Sequence, residues 1–392
     1  MNEIKSLAIC LHGFENVTST EIKELTGYEC EAIKGAVRFT AKDMKDLFRL
    51  CYRAQSVYRL LIGLGECEVS DSFDKTCENI KDLVENAEFS KWLKGDTNFK
   101  VFCKRTGEHK FSSQDLARYI GGLVVKKTSA TVEMEEPQLR IYFYVNDNKG
   151  YLGIDLAGFD LGKREYKIFS NRREINSVVA YAMLRKAAIS TGDVVLDPYC
   201  LSSTIAIEAA LLAKHMSPHY YKKNDFAFVD NPVFKEYDPG KIFDEEDAKI
   251  EDEPKFAVFA YDEKLENITA SKKNAKIAGV HKAINFSRQP TGWLDTKFDE
   301  GEITRIVTQP PHLMKHENNK KIRDEYKEFF YQADFILNES GKLCLLTRNP
   351  EELKNAAQEN YMIKAEHDLV RGKEEYSLLV LESRKNPYNH KL

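Results

Sequence analysis

The sequence predicts an α/β protein in which a largely parallel sheet with helices on both faces fills the chain from about Asn171 onward, preceded by two smaller α+β modules. Two observations carry this expectation. From Asn171 on, short runs rich in Val, Ile and Leu alternate with helical periods, the pattern of strands buried on both faces and joined by crossover helices. Before that point strands and helices are shorter and more mixed, and 392 residues suffice for two or three separate cores.

The first stretch, residues 1–70, reads strand (6–11), helix (19–25), strand (36–39), helix (41–51) and strand (57–64), a small α+β layer with no concentrated polar site. The second, residues 71–162, opens with helical patterning over 73–93. A strand over 99–104 then meets a basic turn, Ser112 or Ser113 can cap a helix that runs to about Val125, and two alternating strands, LRIYFYVND and KGYLGIDLAG, are joined by turn residues. The third, residues 163–392, begins with a helix over 175–188, the strand GDVVLDPYC and the helix STIAIEAALLAK. Strands follow at FAVFAYD, RIVTQPP, KLCLLTR and YSLLVLE, with helices over 265–278 and 324–337. Between Tyr220 and Pro254 lies an insertion whose acidic run, FDEEDAKIEDEP, is expected to be a solvated loop.

Composition narrows the function classes. With 42% hydrophobic and 31% charged residues the chain reads as a globular protein, not a disordered one. The net charge of −4 gives no global attraction to nucleic acid, so any such binding needs a local basic surface. Eight scattered cysteines without a CxxC pair, and no clustered histidines, indicate neither a metal site nor a disulfide framework. The amino terminus lacks a signal-peptide pattern and no apolar run approaches a membrane span, so a cytoplasmic protein without membrane attachment is expected.

Ligands of open parallel sheets bind beyond the carboxyl ends of the strands. Three loops lie there. The first is Asp197-Pro198-Tyr199-Cys200-Leu201-Ser202-Ser203-Thr204, between a strand and a helix; the second carries Asp262, an acid placed to accept ribose hydroxyls; the third is Thr308-Gln309-Pro310-Pro311-His312, a rigid turn able to aim an amide at a planar amine. Each alone is a weak signal, since an acid at a strand end is commonly a helix cap. Their order and spacing carry the weight. Elsewhere, residues 98–128 hold seven basic residues against two acidic ones, a local net of +5, which binds phosphates by charge or keeps a helix face soluble.

These residues resemble the THUMP-domain tRNA methyltransferases that act on the exocyclic amine of guanine, over nearly the whole chain. FKVFCKRTGEHKFSSQDLARYIGG is similar to the THUMP signature, LAGFDLGKREYK to the family's connector, and INSVVAYAMLRKAAISTGDVVLDPYC to its entry helix and first strand. The resemblance implies a ferredoxin-like domain over 1–70, a THUMP RNA-binding domain over 71–162, and a Rossmann-like domain of the class I methyltransferase type over 163–392. It implies donor contacts at Asp197, Ser202, Thr204 and Asp262, and a catalytic turn at Gln309, Pro310, Pro311 and His312. RNA contacts are implied at Lys104, Arg105, His109, Lys110, Arg118, Lys126, Lys127, Lys163 and Arg164, His109 also closing the basic turn as a hydrogen-bonding residue.

The departures are as informative. The family's donor loop reads DPxCGSGT, but here Leu201 and Ser203 replace both glycines; its catalytic Asn/Asp-Pro-Pro-Tyr becomes Gln309 to His312; and Pro290 stands where an acid contacts adenine. The expected function is therefore an RNA-binding protein, on tRNA or another structured RNA, whose methyltransferase domain holds no cofactor and no longer methylates. The alternatives are an active enzyme using S-adenosylmethionine, and a non-catalytic subunit that docks on an active methyltransferase or another protein.

Overall fold

The computed structural model describes residues 3–94, 96–171, 173–313, 319–371 and 374–385. The chain forms two compact units, Met1–Gly162 with His219–Ala248, and Lys163–Pro218 with Lys249–Leu392.

The first unit is built from β1 (Ile4–Cys10), α1 (Glu15–Thr26), β2 (Cys30–Ile33), β3 (Ala36–Ala41), α2 (Met44–Arg53), β4 (Val57–Glu68), α3 (Phe73–Asn86), β5 (Phe99–Thr106), α4 (Ser113–Thr128), β6 (Leu139–Asn146) and β7 (Lys149–Asp155). Its seven strands make one sheet in the order β2-β3-β1-β4-β7-β6-β5. The antiparallel pairing of β4 with β7, from Leu61↔Asp155 to Glu68↔Lys149, fuses the two expected modules into a continuous layer. Strand β2 was not expected: it has four residues, and Gly35 at φ 66° closes its hairpin to β3. Helix α4 starts where its cap predicts, with Ser112 and Asp115 in a reciprocal capping box, and buries Leu116, Ile120 and Val124 on one face.

The chain then enters the second unit through α5 (Ser177–Lys186), β8 (Val194–Asp197) and α6 (Thr204–Ala213), and returns to the first with the short helices α7 (Ala227–Asp230) and α8 (Pro239–Asp247). This returning segment corrects the expectation of a solvated acidic loop. Phe226, Phe228, Phe234, Ile242 and Phe243 are buried in the core of the first unit. Phe48 stacks on Phe228 with ring centroids 4.3 Å apart, and Tyr52 lies 4.7 Å from Phe243. Glu246, 2% exposed, accepts a hydrogen bond of 2.6 Å from Arg49 Nε. The acidic residues hid an amphipathic helix: Ile242, Phe243 and Glu246 share its inner face, Pro239 sits in its first turn, and Asp238 caps it.

The second unit continues with β9 (Ala257–Asp262), α9 (Leu265–Ile277), β10 (Asn285–Arg288), β11 (Ile303–Thr308), α10 (Asn319–Ile336), β12 (Leu337–Thr347), α11 (Pro350–Ala357), β13 (Tyr361–Arg371) and β14 (Glu374–Ser383). The sheet order is β10-β9-β8-β11-β12-β14-β13, parallel except for β14, which pairs antiparallel with both β12 and β13. The parallel core matches the expectation; β13 and α11 were not foreseen. Strand order runs one way from β8 through β9 and the other way from β11, so β8 and β11 flank the switch point where a ligand crevice opens.

Arg164, expected to touch RNA, is instead part of this unit's interior. Its guanidinium meets the Glu208 carboxylate through Nε at 2.9 Å and Nη2 at 3.1 Å, both side chains are 0% exposed, and Tyr166 donates to the same carboxylate at 2.7 Å. A buried fork of this kind cannot reach a phosphate. A basic residue in a connector gave no signal of a carboxylate waiting on α6.

Two outcomes follow from this packing. Phe243→Ala lowers the free energy of unfolding by about 3 kcal/mol in denaturant titration, where a solvated loop residue would change it by less than about 0.5 kcal/mol. Arg164→Ala leaves Glu208 buried and unpaired and costs about 3–5 kcal/mol in the same measurement.

Candidate functional site

The switch point of the second unit gathers the three loops read from the sequence. A cavity of about 300 Å³ lies there, lined among others by Tyr199, Leu201, Asp262, Asn267, Gln309 and His312. Pro310 and Pro311 also line it, together with Arg173, Lys321 and Glu325, which carried no sequence signal. Asp197, Ser202 and Thr204, expected as donor contacts, are each 2% exposed and do not line it.

Asp197 works between strands. Its Oδ1 accepts the Thr308 hydroxyl at 2.6 Å and the Tyr199 amide at 3.4 Å, tying the end of β8 to the end of β11. Complete burial pushes its carboxyl up to about 7. Thr204 Oγ1 donates to the buried Glu174, and the Ser202 carbonyl accepts from Asn274 at 3.2 Å. The expected donor contacts are thus held inside the loop's own scaffold.

The loop before α6 keeps a conformation that suits glycine. Leu201 has φ 52° and Ser203 φ 66°, both left-handed. For L-residues that costs roughly 1–2 kcal/mol each. Hydrogen bonds offset it: Ser203 Oγ donates to Ser271 Oγ at 2.7 Å, Ser271 Oγ donates to the Leu201 carbonyl at 3.0 Å, and Asn274 Nδ2 donates to the carbonyls of Ser202 and, at 3.0 Å, Phe169. Ser271 and Asn274, both fully buried on α9, are the residues that sequence reading missed. Polar side chains on a helix face give no hint of a loop 70 residues away.

Asp262 ends β9 as expected, but its carboxylate is already engaged. Oδ2 accepts the Leu201 amide at 3.1 Å, and Oδ1 accepts the Lys264 amide and Asn267 Nδ2, each at 2.9 Å. Of roughly four acceptor positions on a carboxylate, three are taken by protein. Burial raises its pKa against these bonds.

In the third loop Gln309 is 7% exposed, and its Nε2 lies 2.7 Å from His312 Nε2. Burial pushes the His312 imidazole down to about 4, so the ring is neutral near pH 7, accepts this amide hydrogen, and packs edge-on against Tyr376 at 5.7 Å between centroids. The Tyr326 hydroxyl donates to the Pro311 carbonyl at 2.5 Å, and Asn349 Oδ1 accepts the Leu313 amide at 2.9 Å, fixing the turn from α10 and from the residues after β12. The amide is therefore held by its neighbour, on the cavity wall. Among the described residues no group of three or more His, Cys, Asp or Glu side chains could hold a metal ion.

The basic residues of the first unit separate into supports and exposed cations. Lys127 Nζ donates to the carbonyls of Val84, Glu85 and Ala87 at 3.0, 2.6 and 2.7 Å, closing the end of α3, so it is a structural residue. His109 Nε2 meets the Asp147 carbonyl at 2.7 Å, the turn role expected of it. Arg105 donates to Ser113 Oγ at 3.2 Å. Adjacent positions on β5 place Lys104 on the other side of the sheet from Arg105. Lys104, Lys110, Arg118 and Lys126 are exposed, as is Lys163 in the second unit.

Comparison with known proteins agrees with this geometry. The profile of the RMKL-like methyltransferase domain matches residues 164–377, that of the THUMP domain residues 74–155, and that of the RlmL ferredoxin-like domain residues 5–61. A tRNA (guanine(6)-N2)-methyltransferase of Methanocaldococcus jannaschii is 26% identical over 370 residues, spanning 92% of this chain and 95% of the relative. Its counterpart from Archaeoglobus fulgidus is 26% identical over 366 residues, spanning 91% and 86%. The crystal structure of SMU.472, complexed with SAH, superposes with a TM-score of 0.82 at 19% identity, covering 98% of this chain and 99% of that one. TrmN from Thermus thermophilus gives 0.71 at 23%, covering 97% and 100%. These two likenesses establish the shared fold. With more than half of its length matched by one family, the chain belongs to the RMKL-like methyltransferase domain family, in the form that carries THUMP and ferredoxin-like domains.

Proposed function

We propose that this chain is an RNA-binding protein, with tRNA or another structured RNA as its ligand, whose methyltransferase domain no longer binds S-adenosylmethionine or transfers a methyl group. The observation that carries the reading is the pairing of Leu201 with Asp262. Leu201 lines the cavity where the family has glycine, and the carboxylate that would meet a ribose has three of its acceptor positions filled by Leu201, Lys264 and Asn267. The residues present do not fit the cofactor that the fold implies.

RNA binding is supported by membership of a THUMP-containing family and by the exposed Lys104, Lys110, Arg118 and Lys126. Such cations bind phosphates through charge and counterion release.

A second reading, an active tRNA guanine-N2 methyltransferase, is favoured by one feature: the Gln309 amide lines the cavity and is oriented by His312.

Calorimetric titration of the full chain with S-adenosylmethionine is expected to give no binding tighter than about 1 mM, and a micromolar Kd would overturn the reading. Fluorescence anisotropy with unmodified tRNA is expected to show affinity falling steeply between about 50 and 200 mM salt. Lys110→Ala and Lys126→Ala should each weaken binding across RNA sequences and reduce the salt slope by about 1. Unchanged slopes in both variants would remove this surface from the RNA site.

A further inference from the structure

The donor loop has lost its glycines without losing the conformation that glycine serves. A strand-to-helix turn around a nucleotide uses glycine so that the backbone can turn tightly and approach the ligand. Leu201 and Ser203 stand at those positions with φ 52° and 66°. The path of this loop is fixed from α9, where Ser271 holds the Leu201 carbonyl and the Ser203 hydroxyl, and Asn274 holds the Ser202 carbonyl. None of these bonds uses the Leu201 side chain. The neighbouring strand adds a further tie, with the Cys200 amide donating to the Tyr261 carbonyl at 2.9 Å.

The acid opposite is also not fully closed. Asp262 Oδ1 has two partners, whereas Oδ2 has the Leu201 amide alone, which leaves an acceptor position for a hydroxyl. Leu201 is half-buried on the cavity wall beside this carboxylate.

Resting on the reading that donor binding is lost, we infer that the site is closed by one side chain and not by a rebuilt loop. Ser271 and Asn274 keep the backbone set for an adenosine thioether, and removing the Leu201 side chain reopens the cavity to that class of ligand. Glycine at position 201 removes both the obstruction and the strain of its left-handed backbone. The clamp on α9 is then needed for the reopened site, because it holds the Leu201 and Ser202 carbonyls against the freedom that glycine adds.

The test is a titration of the full chain with S-adenosylhomocysteine, by calorimetry and by thermal shift, in the wild type, Leu201→Gly, Leu201→Ala and Leu201→Gly with Asn274→Ala. Wild-type RNA affinity and cooperative melting certify the fold of each variant. The wild type is expected not to bind, while Leu201→Gly and Leu201→Ala gain at least about a hundredfold in affinity, and the added Asn274→Ala loses about tenfold of that gain. Binding by the wild type would overturn the functional reading itself. Folded Leu201→Gly and Leu201→Ala that both fail to bind would overturn the inference and leave that reading standing. An Asn274→Ala change without effect on the gained affinity would overturn the role of the clamp.

Discussion

The reversal of strand order between β8 and β11 is the constraint on which the second unit depends. Because helices leave β8 and β11 toward opposite halves of the sheet, the loops after Asp197 and Thr308 cannot both be covered by the same crossover, and a crevice forms between them. The hydrogen bond from Thr308 to Asp197 crosses that point and ties the two strand ends together. A buried carboxyl whose pKa rises toward neutrality is the consequence of placing an acid there with few donors. Asp197 is thus better understood as a seam between strands than as a contact with any ligand.

Around this seam, residues far apart in sequence share one task. Helix α9 faces the donor loop with Ser271 and Asn274, and Asn274 also brackets Phe169 through a second pair of bonds, joining the entry segment to the same loop. A loop with three such ties is over-determined, which is the condition under which left-handed leucine and serine persist. The loop backbone is held from α9 by Ser271 and Asn274 and from β9 by Tyr261 and Asp262, while Leu201, Asp262 and Gln309 also line the cavity.

Much of the architecture was legible in the sequence because it rests on periodicity and caps. The parallel core was visible in VVLD, AVFAY and LCLLT, and α4 in Ser112 followed by Asp115. The short edge strand β2 and the returning helix α8 were not, since four residues carry little periodicity and seven acidic residues from Asp244 to Glu253 masked Ile242 and Phe243. The site was legible in its loops and illegible in its supports. Leu201, Asp262 and Gln309 were placed by their position after strands, but Arg164 looked like a surface cation until Glu208 on α6 was seen to hold it, and Lys127 until the end of α3 was. Local patterns record which element a residue belongs to; they do not record which carbonyl or carboxylate another element brings to it.

The first unit gives the same lesson in its energetics. The aromatic segment that returns from the second unit contributes Phe226, Phe228 and Phe243 to a core already holding Phe48 and Tyr52, and aromatic burial of this size outweighs the exposure of neighbouring acids. Glu246 is tolerated inside because Arg49 and Arg53 meet it, with Arg53 at 3.6 Å, so that the desolvation of its carboxylate is offset by the two guanidinium groups. The chain is committed to this arrangement at both ends, since the segment leaves from α6, whose amino terminus follows the donor loop, and leads back into β9, whose last residue is Asp262. The segment between α6 and β9 is in this way given over to the first unit's core, and its acids Asp244 and Glu245 are carried on the outer face of a helix whose inner face holds Ile242 and Phe243.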